Sequence, residues 1–83
     1  MNYCLAVFSS ITYANHLKNI LNNKIGYIAL MHAPSGITDS GCAYCLRFRR
    51  SSLETVKNAA AENGIKIKGL FEEENGSYGR LEI

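Results

Sequence analysis

Two cysteines three residues apart, Cys42 and Cys45, are the most reactive side chains in this sequence. Cys42 follows the small polar run Asp39-Ser40-Gly41, and Cys45 begins an apolar stretch that ends in Arg47-Phe48-Arg49-Arg50. The thiolate is the form of cysteine that attacks electrophiles and binds metals, so the surroundings of each sulfur decide its chemistry. Nearby arginines, together with backbone amides around Gly41, favour a thiolate or the terminal sulfur of a persulfide at Cys42.

The spacing of the pair argues against a simple disulfide. A disulfide needs Cα atoms roughly 4.4–6.8 Å apart. Residues three apart in an extended strand point to opposite faces of the sheet, and a strand is predicted from Ala43 to Arg49. We therefore expect Cys42 to act as a single working thiol. A redox couple of Cys42 and Cys45 is the alternative, and Cys45 by itself is about as well explained as a buried core residue.

His32 lies at the end of the second predicted strand, just before Pro34. It is a candidate base for Cys42, or a third soft-metal ligand with Cys42 and Cys45. The plain alternative is a surface histidine. Because a closed zinc site commonly uses two Cys/His clusters and the sequence has one, we assign no metal and no cofactor.

The basic run after Cys45 has two interpretations. Arg47, Arg49 and Arg50 are either an exposed edge or part of a cationic surface. If Cys45 and Arg47 share a sheet face, that surface would attract an anionic sulfur species or an acidic partner. The acidic run Glu72-Glu73-Glu74 is predicted to be solvated, before a turn at Asn75-Gly76.

Composition limits the class of protein. The chain has 83 residues, of which 47% are hydrophobic and 19% charged, so we expect one globular domain over residues 1–83. A net charge of +2 is too small to indicate nucleic acid, and no apolar run has the ~20 residues of a membrane span. Three cysteines without a signal peptide predict reduced thiols and a cytoplasmic location.

Hydrophobic patterns predict four strands and two helices. The predicted strands are Tyr3–Phe8, which buries Cys4, then Ile25–Met31, Ala43–Arg49 and Ile65–Phe71, with a short tail strand at Tyr78–Ile83. The first helix begins after Ser9-Ser10 and has apolar residues at Ile11, Ala14, Leu17, Ile20 and Leu21. The second begins with a capping box, Ser51 and Glu54, and ends at Gly64. This order predicts an α+β, ferredoxin-like βαββαβ sandwich: a four-stranded antiparallel sheet with both helices on one face.

The segment from Pro34 to Phe48 resembles a family of short bacterial proteins described as selenium/sulfur carrier protein-like. The matching positions are Pro34, Ile37-Thr38, Ser40, Cys42 and Leu46-Arg47. Ala43 stands where that family commonly has glycine, Ser35-Gly36 replaces an arginine, and Cys45 lies outside the family pattern.

The resemblance implies a carrier rather than a stand-alone enzyme. Its Cys42 would accept sulfur or selenium as a persulfide from a donor protein and pass it to an acceptor protein. The accessory residues we expect around it are Ser40, Gly41, His32, Cys45 and Arg47. A homodimer through the open sheet face or an edge strand is a further expectation.

Overall fold

Five strands and two helices form an α+β fold in a computed structural model that describes residues 2–8, 10–33 and 44–81. The strands are β1 (Tyr3–Phe8), β2 (Ile28–His32), β3 (Tyr44–Arg49), β4 (Gly69–Glu74) and β5 (Ser77–Leu81). The helices are α1 (Ile11–Leu21) and α2 (Leu53–Glu62), and a 3₁₀ turn at Arg50–Ser52 leads into α2. No helix among these residues is both long and apolar enough to cross a bilayer.

The strands make one open antiparallel sheet in the order β2-β3-β1-β4-β5. The predicted four-stranded sheet is therefore wrong in its number of strands: the tail strand predicted at Tyr78–Ile83 is β5, and it pairs with β4 along its whole length. The turn that joins them contains Asn75 and Gly76, whose φ angles are 50° and 82°. Positive φ at both central residues defines the type I′ hairpin turn that the Asn-Gly pair predicted.

Strand β1 is the centre of the fold. It pairs with β3 on one side and β4 on the other, and Cys4 to Phe8 are all buried. Alternate side chains of a strand point to opposite faces. Cys4, Ala6 and Phe8 therefore belong to the large core under the helices, whereas Leu5 and Val7 belong to a second apolar cluster. That cluster lies on the face away from the helices, which we call the open face.

Both helices cover the same face of the sheet. Ala14, Leu17 and Leu21 of α1 share one core cluster with Val56 and Ala60 of α2. Their spacing of three or four residues places them on one side of each helix, as the sequence predicted. The start of α1 is also as predicted, because the Ser10 side chain accepts a hydrogen bond from the Thr12 amide at 3.1 Å.

The start of α2 differs from the sequence prediction. The predicted capping box of Ser51 and Glu54 is not formed. Ser51 lies in the 3₁₀ turn, and the N-cap residue Ser52 makes no side-chain capping hydrogen bond. The Arg50 amide, at the start of that turn, instead donates to the Asn2 carbonyl at 3.0 Å. This bond ties the entry of α2 to the beginning of β1.

The end of α2 is as predicted. Gly64 has φ of +66°, its amide donates to the Ala61 carbonyl at 3.3 Å, and the Ile65 amide donates to the Ala60 carbonyl at 2.9 Å. These two bonds are the Schellman motif, which needs a left-handed residue where Gly64 lies. Ile65 is thereby turned into the core.

The fourth strand begins later than predicted. Ile65 and Ile67 alternate with exposed lysines as in a strand, but both isoleucines are buried in the helix-side core and pair with no neighbouring strand among the described residues. The first backbone bond to β1 is donated by the Lys68 amide to the Val7 carbonyl at 2.8 Å. The alternation of isoleucine and lysine in this segment therefore reflects burial of the isoleucines in the helix-side core and not strand pairing.

Replacing Gly64 by alanine tests the motif at the end of α2. A Cβ at this position meets no atom within 4 Å, so the cost is that of a left-handed backbone alone. We expect Gly64→Ala to lower the free energy of unfolding by roughly 1 kcal/mol, measured by urea denaturation. Gly26→Ala is the control, because that site is equally open and its φ is not positive. Equal effects of the two substitutions would contradict the assignment.

Candidate functional site

Strand β3 carries two of the predicted accessory residues on the open face. Tyr44, Leu46 and Phe48 contact the helix-side core, so Cys45 and Arg47 lie on the other face. This is the alternation that the sequence predicted. The two residues nevertheless lie in different surroundings, one apolar and one polar.

The Cys45 side chain is fully buried in the smaller apolar cluster. Leu5 and Val7 are buried beside it, and Met31 packs against the same cluster. Burial withdraws the thiol from water and raises the pKa of Cys45 to about 11. The thiol is therefore protonated at neutral pH, and a protonated thiol is a weak nucleophile.

Cys4 is also unsuited to thiolate chemistry. It is fully buried on the helix-side face of β1, as expected from its place in an apolar strand. Burial is the main reason that its pKa is raised; Arg50 opposes the shift and Glu72 adds to it. Both of the cysteines that the structure describes are thus sheltered, protonated thiols.

Arg47 is held by three neighbours on the open face. Its Nε and Nη2 donate to the two carboxylate oxygens of Glu73 at 3.1 and 3.3 Å, and its Nη1 donates to the Tyr27 hydroxyl at 3.3 Å. The guanidinium carbon also lies 3.8 Å from the centre of the Tyr3 ring. The hydrogen bonds from Arg47 to Glu73 and Tyr27 hold its pKa above the ordinary value. Its positive charge is therefore compensated within the fold.

Acidic partners also change the interpretation of the other arginines. Arg50 Nε lies 3.0 Å from a carboxylate oxygen of Glu72. The prediction of a solvated acidic run is therefore wrong for Glu72 and Glu73, which each pair with an arginine on opposite faces of β4. The sequence shows basic residues near the end of β3 and acidic residues at the end of β4, but the strand order was needed to show that they pair.

Arg49 lies far from the predicted thiol site along its strand. Five residue steps separate it from Tyr44, or about 17 Å in an extended strand. Tyr44 is the described residue nearest in sequence to Cys42. The exposed charge of Arg49 therefore lies at the end of β3 that is farther from the predicted thiol site.

His32 lies at the end of the sheet that is nearer to the predicted site. It is exposed, its ring centre is 4.6 Å from that of Tyr44, and the two residues are cross-strand partners. Met31, the residue before it, is the partner of Cys45. Strand alternation therefore places His32 and Cys45 on opposite faces of the sheet.

Three predicted site residues lie outside the described residues: Ser40, Gly41 and Cys42. The flanks of their segment, 34–43, are defined. His32 and Tyr44 pair across β2 and β3, and Tyr44 also pairs with Phe8 at the end of β1. The chain thus leaves the sheet and returns to it at one place, the end where β1 terminates.

Lys68 lies at the same end of the sheet and was not singled out from the sequence. Its amide is bonded to the Val7 carbonyl, and its side chain is exposed. Val7 pairs with Cys45 in β3 and with Gly69 in β4. No sequence signal identifies this lysine, because its place beside β1 depends on the strand order.

A metal centre has no support in the described part of the chain. Within residues 2–8, 10–33 and 44–81, no group of three or more His, Cys, Asp or Glu side chains is arranged to hold an ion. His32 and Cys45 on opposite faces are an example of why the described donors do not converge.

Comparison with known proteins identifies the family. The sequence model of the family described as "Putative Se/S carrier protein-like" matches residues 3–72, which is most of the chain. The protein belongs to this family. No curated protein and no solved structure gives a significant match to the chain.

The Arg47–Glu73 pair yields a stability prediction. Both side chains are about one quarter exposed, 25% and 26%, and two hydrogen bonds join them. We expect a double-mutant cycle with Arg47→Met and Glu73→Gln to give a coupling energy of about 1 kcal/mol in urea denaturation. The matched control is the Lys57–Glu54 pair, which is 4.0 Å apart with Glu54 79% exposed, and which should show almost no coupling. Equal coupling energies in the two cycles would show that the Arg47–Glu73 pair stabilises the fold no more than an exposed surface pair does.

The Cys45 thiol yields a pH prediction. Its folded pKa, about 11, lies above the unfolded value, so the native state keeps the proton that the unfolded chain loses above about pH 9. Stability must then fall as pH rises from about 9 to 11, by roughly 2 kcal/mol from this group. Urea denaturation of the wild type and of Cys45→Ala should show a stability difference that changes by this amount over that range. Parallel pH curves would show that Cys45 is ionised as easily when folded as when unfolded.

Proposed function

We propose that this protein carries sulfur or selenium on the thiol of Cys42. The observation that carries the proposal is the family match over residues 3–72, a range that includes Cys42. The environments of the other two cysteines support it. Cys4 and Cys45 are fully buried and have raised pKa values, so neither favours a nucleophilic sulfur at neutral pH.

The proposed step is a persulfide exchange that balances without an external oxidant. The thiolate of Cys42 attacks the outer sulfur of a persulfide on the donor protein. A new S–S bond forms at Cys42 as the donor's S–S bond breaks, and the donor leaves as a thiolate. The electron pair of the broken bond goes to the donor sulfur. A selenium atom held by the donor as a selenopersulfide moves by the same exchange. Delivery is a second exchange of this kind: a thiolate of the acceptor protein attacks the outer atom on Cys42, and Cys42 leaves as a thiolate.

The accessory residues have different proposed roles. Backbone amides at Ser40 and Gly41 would donate hydrogen bonds to the terminal sulfur of the persulfide, because an anion is stabilised by converging N–H groups. His32 would assist proton removal from Cys42. The contacts of Arg47 with Glu73 favour a role in holding the open face rather than in binding the anion.

The redox alternative is weakened by the state of Cys45. A dithiol couple with Cys42 needs both sulfurs to meet, and one of them to ionise. Cys45 is withdrawn from solvent among Leu5 and Val7, so its sulfur is poorly accessible to a second sulfur. These properties support a single working thiol, and they agree with a reducing, cytoplasmic setting for the protein.

We also infer a ferredoxin-like unit within the five-stranded sheet. The order β2-β3-β1-β4 of the first four strands, with α1 between β1 and β2 and α2 between β3 and β4, supports this assignment. In this interpretation β5 is an addition at the edge of β4, and the whole described chain is a single domain.

Mass spectrometry after incubation with a cysteine desulfurase and cysteine tests the proposed function. The wild type and the Cys4→Ala and Cys45→Ala variants should gain the mass of one sulfur atom, and Cys42→Ser should gain none. Cys4→Ala and Cys45→Ala are matched controls because each removes one thiol that is buried. Treatment with a reductant should remove the added mass. The proposal fails if the wild type gains no sulfur or if Cys42→Ser gains as much as the wild type.

A further inference from the structure

A groove of about 570 Å³ runs between α2 and the segment that follows it. Its floor is formed by Ala60, Ile65 and Ile67, which are buried members of the helix-side core. Its rim includes Ala61, which is exposed, and two lysines, Lys57 and Lys66. Nothing in the proposed carrier chemistry uses this groove.

The Schellman motif at the end of α2 shapes the groove. It reverses the chain at Gly64 and turns Ile65 back against the helix. The alternation that follows buries Ile67 and leaves Lys66 and Lys68 exposed. The segment therefore lies beside α2 with its apolar side chains inward and its charges outward.

Two backbone amides along this rim have no hydrogen-bond acceptor within the described part of the chain. The amide of Ile65 donates to Ala60 and that of Lys68 donates to Val7. No hydrogen bond from the amides of Lys66 and Ile67 is found among the residues that the structure describes. Successive amides of an extended segment point to opposite sides, and that of Lys68 points toward β1, so the Ile67 amide points away from β1. A main chain that runs beside the segment on that side can accept from it, as a peptide does when it adds to the edge of a sheet.

The charge of the groove selects an acidic ligand. Lys57 and Lys66 line it, and Lys68 extends the same charge toward the end of the sheet. Among the described residues, Glu54 is the acid that pairs with a groove lysine: its carboxylate is 4.0 Å from the Lys57 ammonium, and its side chain is 79% exposed. So exposed a pair contributes little, and the ammonium groups stay available to carboxylates.

We propose that this groove binds an extended segment of a partner protein that alternates acidic and apolar side chains. Carboxylates pair with Lys57 and Lys66, apolar side chains contact the exposed edges of Ile65 and Ile67, and a carbonyl oxygen accepts from the Ile67 amide. The groove is open along α2, whereas a small-molecule site encloses most of its ligand, so a protein segment is the better occupant. Naming this partner as the donor or acceptor of sulfur rests on the proposed function; the groove itself does not.

An NMR titration of the ¹⁵N-labelled full chain tests the proposal. The probe is a short peptide that alternates glutamate and leucine, and the comparison peptide has lysine in place of glutamate. We expect the acidic peptide to shift amide signals of residues 57–68 and the basic peptide to leave them unchanged. Shifts confined to the open face, shifts by both peptides, or shifts on raising the protein concentration without peptide would each overturn the assignment.

Charge reversal on the rim provides the matched variants. Lys57→Glu with Lys66→Glu should weaken binding of the acidic peptide by about tenfold or more. Lys18→Glu with Lys24→Glu, on and just after α1, changes the net charge equally and should leave binding as in the wild type. Ala61→Trp, which fills the groove from an exposed position, should weaken binding without a change of charge. Equal loss in the Lys57/Lys66 and Lys18/Lys24 variants would show that only net charge matters.

The two proposals are separable because Cys42→Ser leaves the groove residues unchanged. If Cys42→Ser binds the acidic peptide like the wild type while no variant accepts sulfur, the groove stands and the carrier function fails. If sulfur loading on Cys42 proceeds but the peptide shifts no signal near the groove, the carrier function stands and the groove proposal fails.

Discussion

The fold depends on β1 being buried on both of its faces. Five consecutive residues of β1, Cys4 to Phe8, are withdrawn from water, and no other described strand has so long a buried run. Like β3 and β4, it also pairs on both edges. Because neighbouring residues of a strand face opposite ways, one short apolar run supplies both clusters: Cys4, Ala6 and Phe8 to the helix side, Leu5 and Val7 to the open face. The helices, the second cluster and the two outer strand pairs are all built around it.

The burial of β1 also determines the environment of two of the cysteines. Cys4 lies within β1, and Cys45 is the direct partner of Val7, so both thiols take on the low polarity of the centre of the sheet. Burial favours the neutral thiol, which suits packing and opposes nucleophilic attack. The chain belongs to the Se/S carrier protein-like family, and both cysteines that the structure describes are sheltered, which is why the proposed carrier function uses Cys42.

Charge is distributed in two ways over the surface. On the open face, Arg47 contacts Glu73, Tyr27 and Tyr3, so its charge is compensated within the fold. Beside α2, lysines stand around an apolar floor and keep their charge for a ligand. The basic cluster that is conspicuous in the sequence is thus mainly structural, and the inconspicuous alternation from Ile65 to Lys68 forms the surface suited to binding.

The sequence by itself determined the elements and the faces of the strands. The central strand, the alternation of β3, the Ser10 cap, the Gly64 helix end and the Asn75-Gly76 turn all follow from local residue preferences, which neighbours in sequence decide. Only the tertiary structure decided that Glu73 reaches Arg47, and that Ile65 and Ile67 join the helix-side core instead of extending a strand. These contacts join residues far apart in the chain, and their energies depend on burial and strand order. Neither burial nor strand order is contained in a local pattern.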